Sequence, residues 1–141
     1  MSDKKAEIKM LTLEEANASL PKIRTILKSL RELRDRVLRI QAQIEIEEMT
    51  GLGSDTRLTP AAQNAITLQM DEFQSHTIRF ENLLEDLFQL GAHLKDLNRG
   101  LIDFYSLRDK KVVFLCWIEG EPEIQHWHTI EGGFQNRRSL D

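Results

Sequence analysis

The sequence predicts an α+β protein: a long antiparallel helical hairpin, coiled-coil-like in its spacing, with a small antiparallel β-sheet module at the C-terminus. Three observations predict it. Apolar residues between positions 23 and 87 recur at alternating intervals of three and four, the spacing of a helix buried along one seam. Of nine aromatic side chains (six Phe, two Trp, one Tyr), six fall after position 100: Phe104, Tyr105, Phe114, Trp117, Trp127 and Phe134. Finally, "KKVVFLCWI" (110–118) is β-branched and aromatic, the strongest strand signature in the chain.

The first helical arm is expected over 12–49. "TLEE" opens it as a capping box, Thr12 being the N-cap and Glu15 its reciprocal partner. Pro21 must kink this helix or begin a new one, because it lacks the N–H that an interior turn needs. The seam then runs through Ile23, Ile26, Leu30, Leu33, Val37, Ile40 and Ile44. "TGLGSDTRLTP" (50–60) breaks the helix, and Thr59-Pro60 restarts it as N-cap and first helical residue. The second arm, 59–91, carries its seam on Ile66, Met70, Phe73, Thr77, Phe80, Leu84 and Leu87, with Gly91 as the stop. Helices of roughly 30 residues are about 45 Å long, and the short loop between them makes an antiparallel hairpin. With 92–141 as the β module and tail, the 141 residues are expected to form a single domain.

Composition narrows the function classes. A net charge of -4 offers no global field for a phosphate backbone, so nucleic acid is not the expected partner. Seven basic residues do cluster in 22–39 (Lys22, Arg24, Lys28, Arg31, Arg34, Arg36 and Arg39). They form either a surface for an acidic partner or nucleic acid, or the complement of the acidic 71–86 segment across the hairpin. The charged start "MSDKKAEIKML" does not resemble a signal peptide. The longest apolar run, 112–118, is far short of the ~20 residues of a membrane span, so no membrane is expected. One cysteine, Cys116, excludes an intrachain disulfide and fits the cytoplasm. Two helices alone bury little, so a homodimer or higher homo-oligomer through the helices is expected, with a protein partner as the other possibility.

Within the β module, "EGEP" reads as a turn and "EIQHWH" (123–128) as the returning strand, giving a sheet of three or four strands. An even-membered turn sets Trp117 opposite Ile124, Leu115 opposite His126 and Val113 opposite His128. Both histidines then share a face with Trp117, while Cys116 points away with Trp127. Cys116 is read as a small buried hydrophobe and both tryptophans as core. His126 and His128 are spaced to hold one divalent metal if a carboxylate joins them. Glu121, Glu123, Asp103 and Asp96 are the candidates, and they are also candidates for an acid/base pair. No cofactor is required by these residues.

Three stretches, "LTLEEANASLPKIR" (11–24), "LGAHLKDLNRGLIDFYS" (90–106) and "VFLCWIEGEPEIQHWHTIEGGFQNR" (113–137), resemble the bacterial proteins grouped as domain of unknown function 2203. The resemblance rests on Leu115, Cys116, Trp117, Gly120, Glu121, Glu123, Trp127, His128, Gly133, Phe134 and Arg137. The middle stretch adds Leu94, Lys95, Asp96, Leu97, Gly100, Asp103 and Phe104. His126 stands where the family commonly has another aromatic, which shifts weight onto His128. The resemblance implies no activity, cofactor or partner. The candidate binding residues are therefore Asp96, Asp103, Trp117, Glu121, Glu123, Trp127, His128 and Arg137, with His128, His126 and Glu121 as the metal alternative. The favoured function is a non-enzymatic interaction or scaffold protein. The rivals are a ligand- or metal-binding protein, possibly catalytic, and a nucleic-acid binder.

Overall fold

The structure, a computed structural model, describes residues 8–141. Residues 1–7, on which part of the signal-peptide expectation rests, lie outside the described residues. Two long helices, α1 (Leu13–Thr50) and α2 (Pro60–Gln89), pack against each other, and a five-stranded antiparallel sheet follows. The strands are β1 (His93–Asp96), β2 (Leu101–Arg108), β3 (Lys111–Ile118), β4 (His126–Thr129) and β5 (Arg138–Ser139), a meander in chain order. The fold class is α+β, as expected.

The helix boundaries have local causes. Thr12 Oγ1 accepts from the Glu15 N–H at 3.1 Å and Glu15 Oε1 accepts from the Thr12 N–H at 2.8 Å, closing the capping box. Pro21 does not divide α1: the helix runs through it. Its missing N–H removes one hydrogen bond, while Leu20 and Ile23 on either side are buried. Thr59 Oγ1 caps α2 by accepting from the Ala62 N–H at 3.2 Å. At the other end, Ala92 donates to the Leu87 carbonyl and Gly91, at φ 85°, to the Phe88 carbonyl, the paired bonds of a Schellman motif.

The described residues separate into two compact units: 8–28 with 84–141, and Ser29–Leu83. In the second unit the α1 seam is buried at Leu30, Leu33 and Ile40, with Val37 and Ile44 half-buried. The α2 seam differs from the expected one. Met70 and Leu84 are exposed, and the covered positions include Ala62, Ile66, Gln69, Phe73, His76, Phe80 and Leu83, with Ala65 and Thr77 half-buried beside them. The intervals are still three and four, but two seam positions hold polar side chains, and hydrophobicity alone directs attention to the apolar neighbours. Gly51 turns the chain out of α1 where its α-carbon faces Ala62: a Cβ there would stand 2.4 Å from the Ala62 Cβ.

In the first unit, the sheet has five strands where three or four were expected. β5 comes from the stretch read as a polar tail. β2 and β3 form a hairpin whose turn residues, Asp109 and Lys110, both have positive φ (52° and 67°). That is the geometry of a tight primed turn made without glycine.

Candidate functional site

The sheet register decides which side chains meet. β3 and β4 are joined by residues 119–125, an odd number, so Phe114 faces His128, Leu115 faces Trp127 and Cys116 faces His126. The even-loop expectation is corrected: both histidines share a face with Cys116, and Trp117 lies on the other. The cause is local. The chain after Ile118 does not turn straight back. Glu121 hooks onto β3, its Oε1 accepting from the Ile118 N–H and its carbonyl from Trp117 Nε1, each at 2.9 Å. The Ile124 N–H then bonds Asn17 Oδ1 on α1 at 2.8 Å. Only at His126 does pairing with β3 begin.

The face bearing Ile102, Phe104, Leu115 and Trp117 is tied to the start of α1. Ser106 Oγ donates to the Leu11 carbonyl at 2.6 Å, and the Leu11 N–H donates to the Tyr105 carbonyl at 2.9 Å. The Arg24 guanidinium lies 5.4 Å above the Trp117 ring and donates to the Pro122 carbonyl at 3.2 Å. One of the seven clustered basic residues is thus an anchor for the β3–β4 connection.

The opposite face carries the ionisable groups. His93, Asp103, Cys116 and His126 stand side by side across β1 to β4. Asp103, Cys116 and His128 are all buried. His128 Nδ1 lies 2.7 Å from the Thr129 carbonyl oxygen. A carbonyl oxygen only accepts, so Nδ1 carries a proton. Nε2 then faces both Asp103 carboxylate oxygens at 3.2 Å. Burial, followed by the Asp103 charge, pushes the Cys116 thiol up to about 12, against the opposing pull of Arg137. At neutral pH it is a thiol hydrogen-bonded to Asp103, with no exposed surface, and is not set up as a nucleophile. Burial also lowers His93, assisted by Lys95 and opposed by Asp103.

A second cluster borders the first. Arg137 Nη2 is 2.9 Å from both Glu121 carboxylate oxygens and from His126 Nδ1, and Arg137 lies over the Phe134 ring. Glu121 is therefore engaged with Arg137, Ile118 and Trp117, and His126 with Arg137. The other expected site residues lie apart. Asp96 Oδ1 accepts from the Arg99 N–H in the β1–β2 turn, and Glu123 is exposed. The structure thus gathers Asp103 with His128, and Glu121 with Arg137 and His126, while Asp96 and Glu123 join neither group.

Trp117 is fully buried, as expected, but Trp127 is half-buried. Arg108 and Arg138 stand 5.0 and 5.4 Å from its ring centroid, beside an open hollow of about 600 Å³. Cys116 was missed as a partner of Asp103 and His128, because the even loop sent it to the wrong face. The connection, residues 119–125, is odd in length, which places Cys116 and both histidines on one face.

A family model described as an uncharacterized conserved protein, DUF2203, matches residues 9–140. The chain belongs to this family. Membership spans both helices and every strand, so the buried cluster and the Glu121–Arg137 pair lie within the family's own domain. No curated protein and no solved structure matches the chain. No helix among the described residues is long and apolar enough to cross a membrane.

Proposed function

We propose that this DUF2203 member is a non-enzymatic, cytoplasmic interaction protein that works as a homodimer built on α1. The observation that carries the reading is a second apolar stripe on that helix. Leu38, Ala42, Ile46 and Met49, at intervals of four, four and three, lie on one exposed face apart from the seam. Leu38, Ile46 and Met49 are 56%, 58% and 77% exposed.

Its charges are self-complementary. With a two-fold axis at Ala42, an antiparallel copy of α1 sets Leu38 opposite Ile46. It also sets Arg39 opposite Glu45 and Arg36 opposite Glu48, all of them exposed. This is the pattern an isologous interface requires, and the small Ala42 at the axis permits close approach. The single buried Cys116 thiol supports a reducing compartment.

The test is cysteine cross-linking with sedimentation velocity. Ala42→Cys should form disulfide-linked dimers on mild oxidation, whereas the exposed control Ser75→Cys should not. Leu38→Glu combined with Ile46→Glu should sediment as a monomer with its helical circular dichroism intact. A wild-type protein that remains monomeric at high micromolar concentration would sink the proposal.

A further inference from the structure

Three donors of different chemistry meet on the Cys116 face of the sheet. Asp103, Cys116 and His128 come from the adjacent strands β2, β3 and β4, and all are buried. A carboxylate oxygen, the Sγ and an imidazole nitrogen lie within 4.8 Å of one another. Donor atoms around a tetrahedral zinc ion are roughly 3.5 Å apart, so modest side-chain rotations close the remaining gap. We propose that this cluster is a three-ligand site for a divalent cation of the zinc class, held by the Asp103 carboxylate, the Cys116 thiolate and His128 Nε2, with the fourth tetrahedral position left to solvent.

The donor set chooses the cation. One sulfur, one nitrogen and one oxygen suit a borderline-soft ion and leave magnesium or calcium poorly served. His128 is already oriented for the role. Its Nδ1–H is held by the Thr129 carbonyl at 2.7 Å, which aims Nε2 into the cluster. Metal-bound imidazoles use the same outer hydrogen bond. The ligand set differs from the one the histidine spacing points to, since His126 and Glu121 are turned toward Arg137.

Charge closes as well. Without the cation, the Cys116 thiol keeps its proton at neutral pH. With it, the dication is balanced by one thiolate and one carboxylate beside a neutral imidazole, and the thiol proton leaves for solvent. Two ligand charges against a dication leave no net buried charge, which is what a low-dielectric site tolerates.

The test strips denatured wild-type protein of metal and refolds it with cobalt(II). The expected result is one cobalt per chain and a thiolate-to-cobalt charge-transfer absorption in the near ultraviolet. Cys116→Ser should retain the helical signal and lose that band. The decisive readout is on the wild-type chain, so a variant that fails to fold does not spoil it. Failure to bind one cobalt per chain would overturn the site. Cobalt bound without the thiolate band would overturn this ligand set.

Discussion

At the scale of single residues, burial separates side chains that the sequence presents alike. Trp117 and Trp127 stand ten residues apart on neighbouring strands, yet one is fully buried and the other lies between two arginines at the sheet margin. Trp117→Ala should cost about 3–5 kcal/mol, whereas Trp127→Ala should cost about 1–2 kcal/mol because part of that ring's surface is never removed from water. Chemical denaturation of the two variants checks the ordering, and equal losses would contradict it. Cys116 gives a pH dependence of known sign. Burial and Asp103 raise its thiol from the ordinary 9.0 to about 12, so the folded state holds the proton more tightly than the unfolded chain does. That contribution is fully present below pH 9 and is lost as pH climbs toward 12. The groups around it are Asp103 and His126 on the flanking strands, with His128, Glu121 and Arg137. Metal-free wild-type protein should therefore lose up to about 1.4 kcal/mol per pH unit across this window beyond what Cys116→Ala loses. Parallel slopes for the two proteins in alkaline thermal melts would refute the assignment.

At the scale of elements, what could be read in advance follows from how local the determining interactions are. The capping box at Thr12, the Thr59-Pro60 start and the Gly91 stop are each settled by residues within one helical turn, and all three stand in the structure. The α2 seam was legible in its period but not in its membership, because Gln69 and His76 hold seam positions that polarity disguises. The β3–β4 register was not legible. It depends on Glu121 and Ile124 binding β3 and α1, contacts that no local rule supplies, and a one-residue difference moved both histidines to the other face. The grouping of Cys116 with His128 was lost with it, while Asp103 had stood among four candidate carboxylates. Gly51 shows the opposite case, a glycine recognised as a breaker whose real constraint is proximity. A Cβ there would stand 2.4 Å from the Ala62 Cβ and 2.7 Å from the Glu47 carbonyl oxygen, both at the mouth of the interhelical loop. Gly51→Ala should destabilise by about 1–3 kcal/mol, although alanine is the better helix former. A neutral or stabilising effect in urea denaturation would show that the loop relaxes freely.

At the scale of the whole molecule, the number of seams exceeds the number of partners one chain provides. α1 presents the stripe of Leu30, Leu33, Val37 and Ile40 to its own hairpin, and leaves Leu38, Ala42, Ile46 and Met49 to solvent. Helical pairs with one narrow seam seldom carry a stable core alone, so the association proposed through the second stripe would link folding to concentration. For a dimer that unfolds to two chains, each tenfold dilution removes about 1.4 kcal/mol of stability. Spread over the unfolding entropy of two such chains, this lowers the melting temperature by about 2–3 °C per decade of concentration. Differential scanning fluorimetry across three decades should show that slope for the wild type and a flat line for Leu38→Glu/Ile46→Glu. A wild-type melting temperature independent of concentration would mean that the stripe contributes nothing to stability, and that its exposed apolar residues meet water in the working protein.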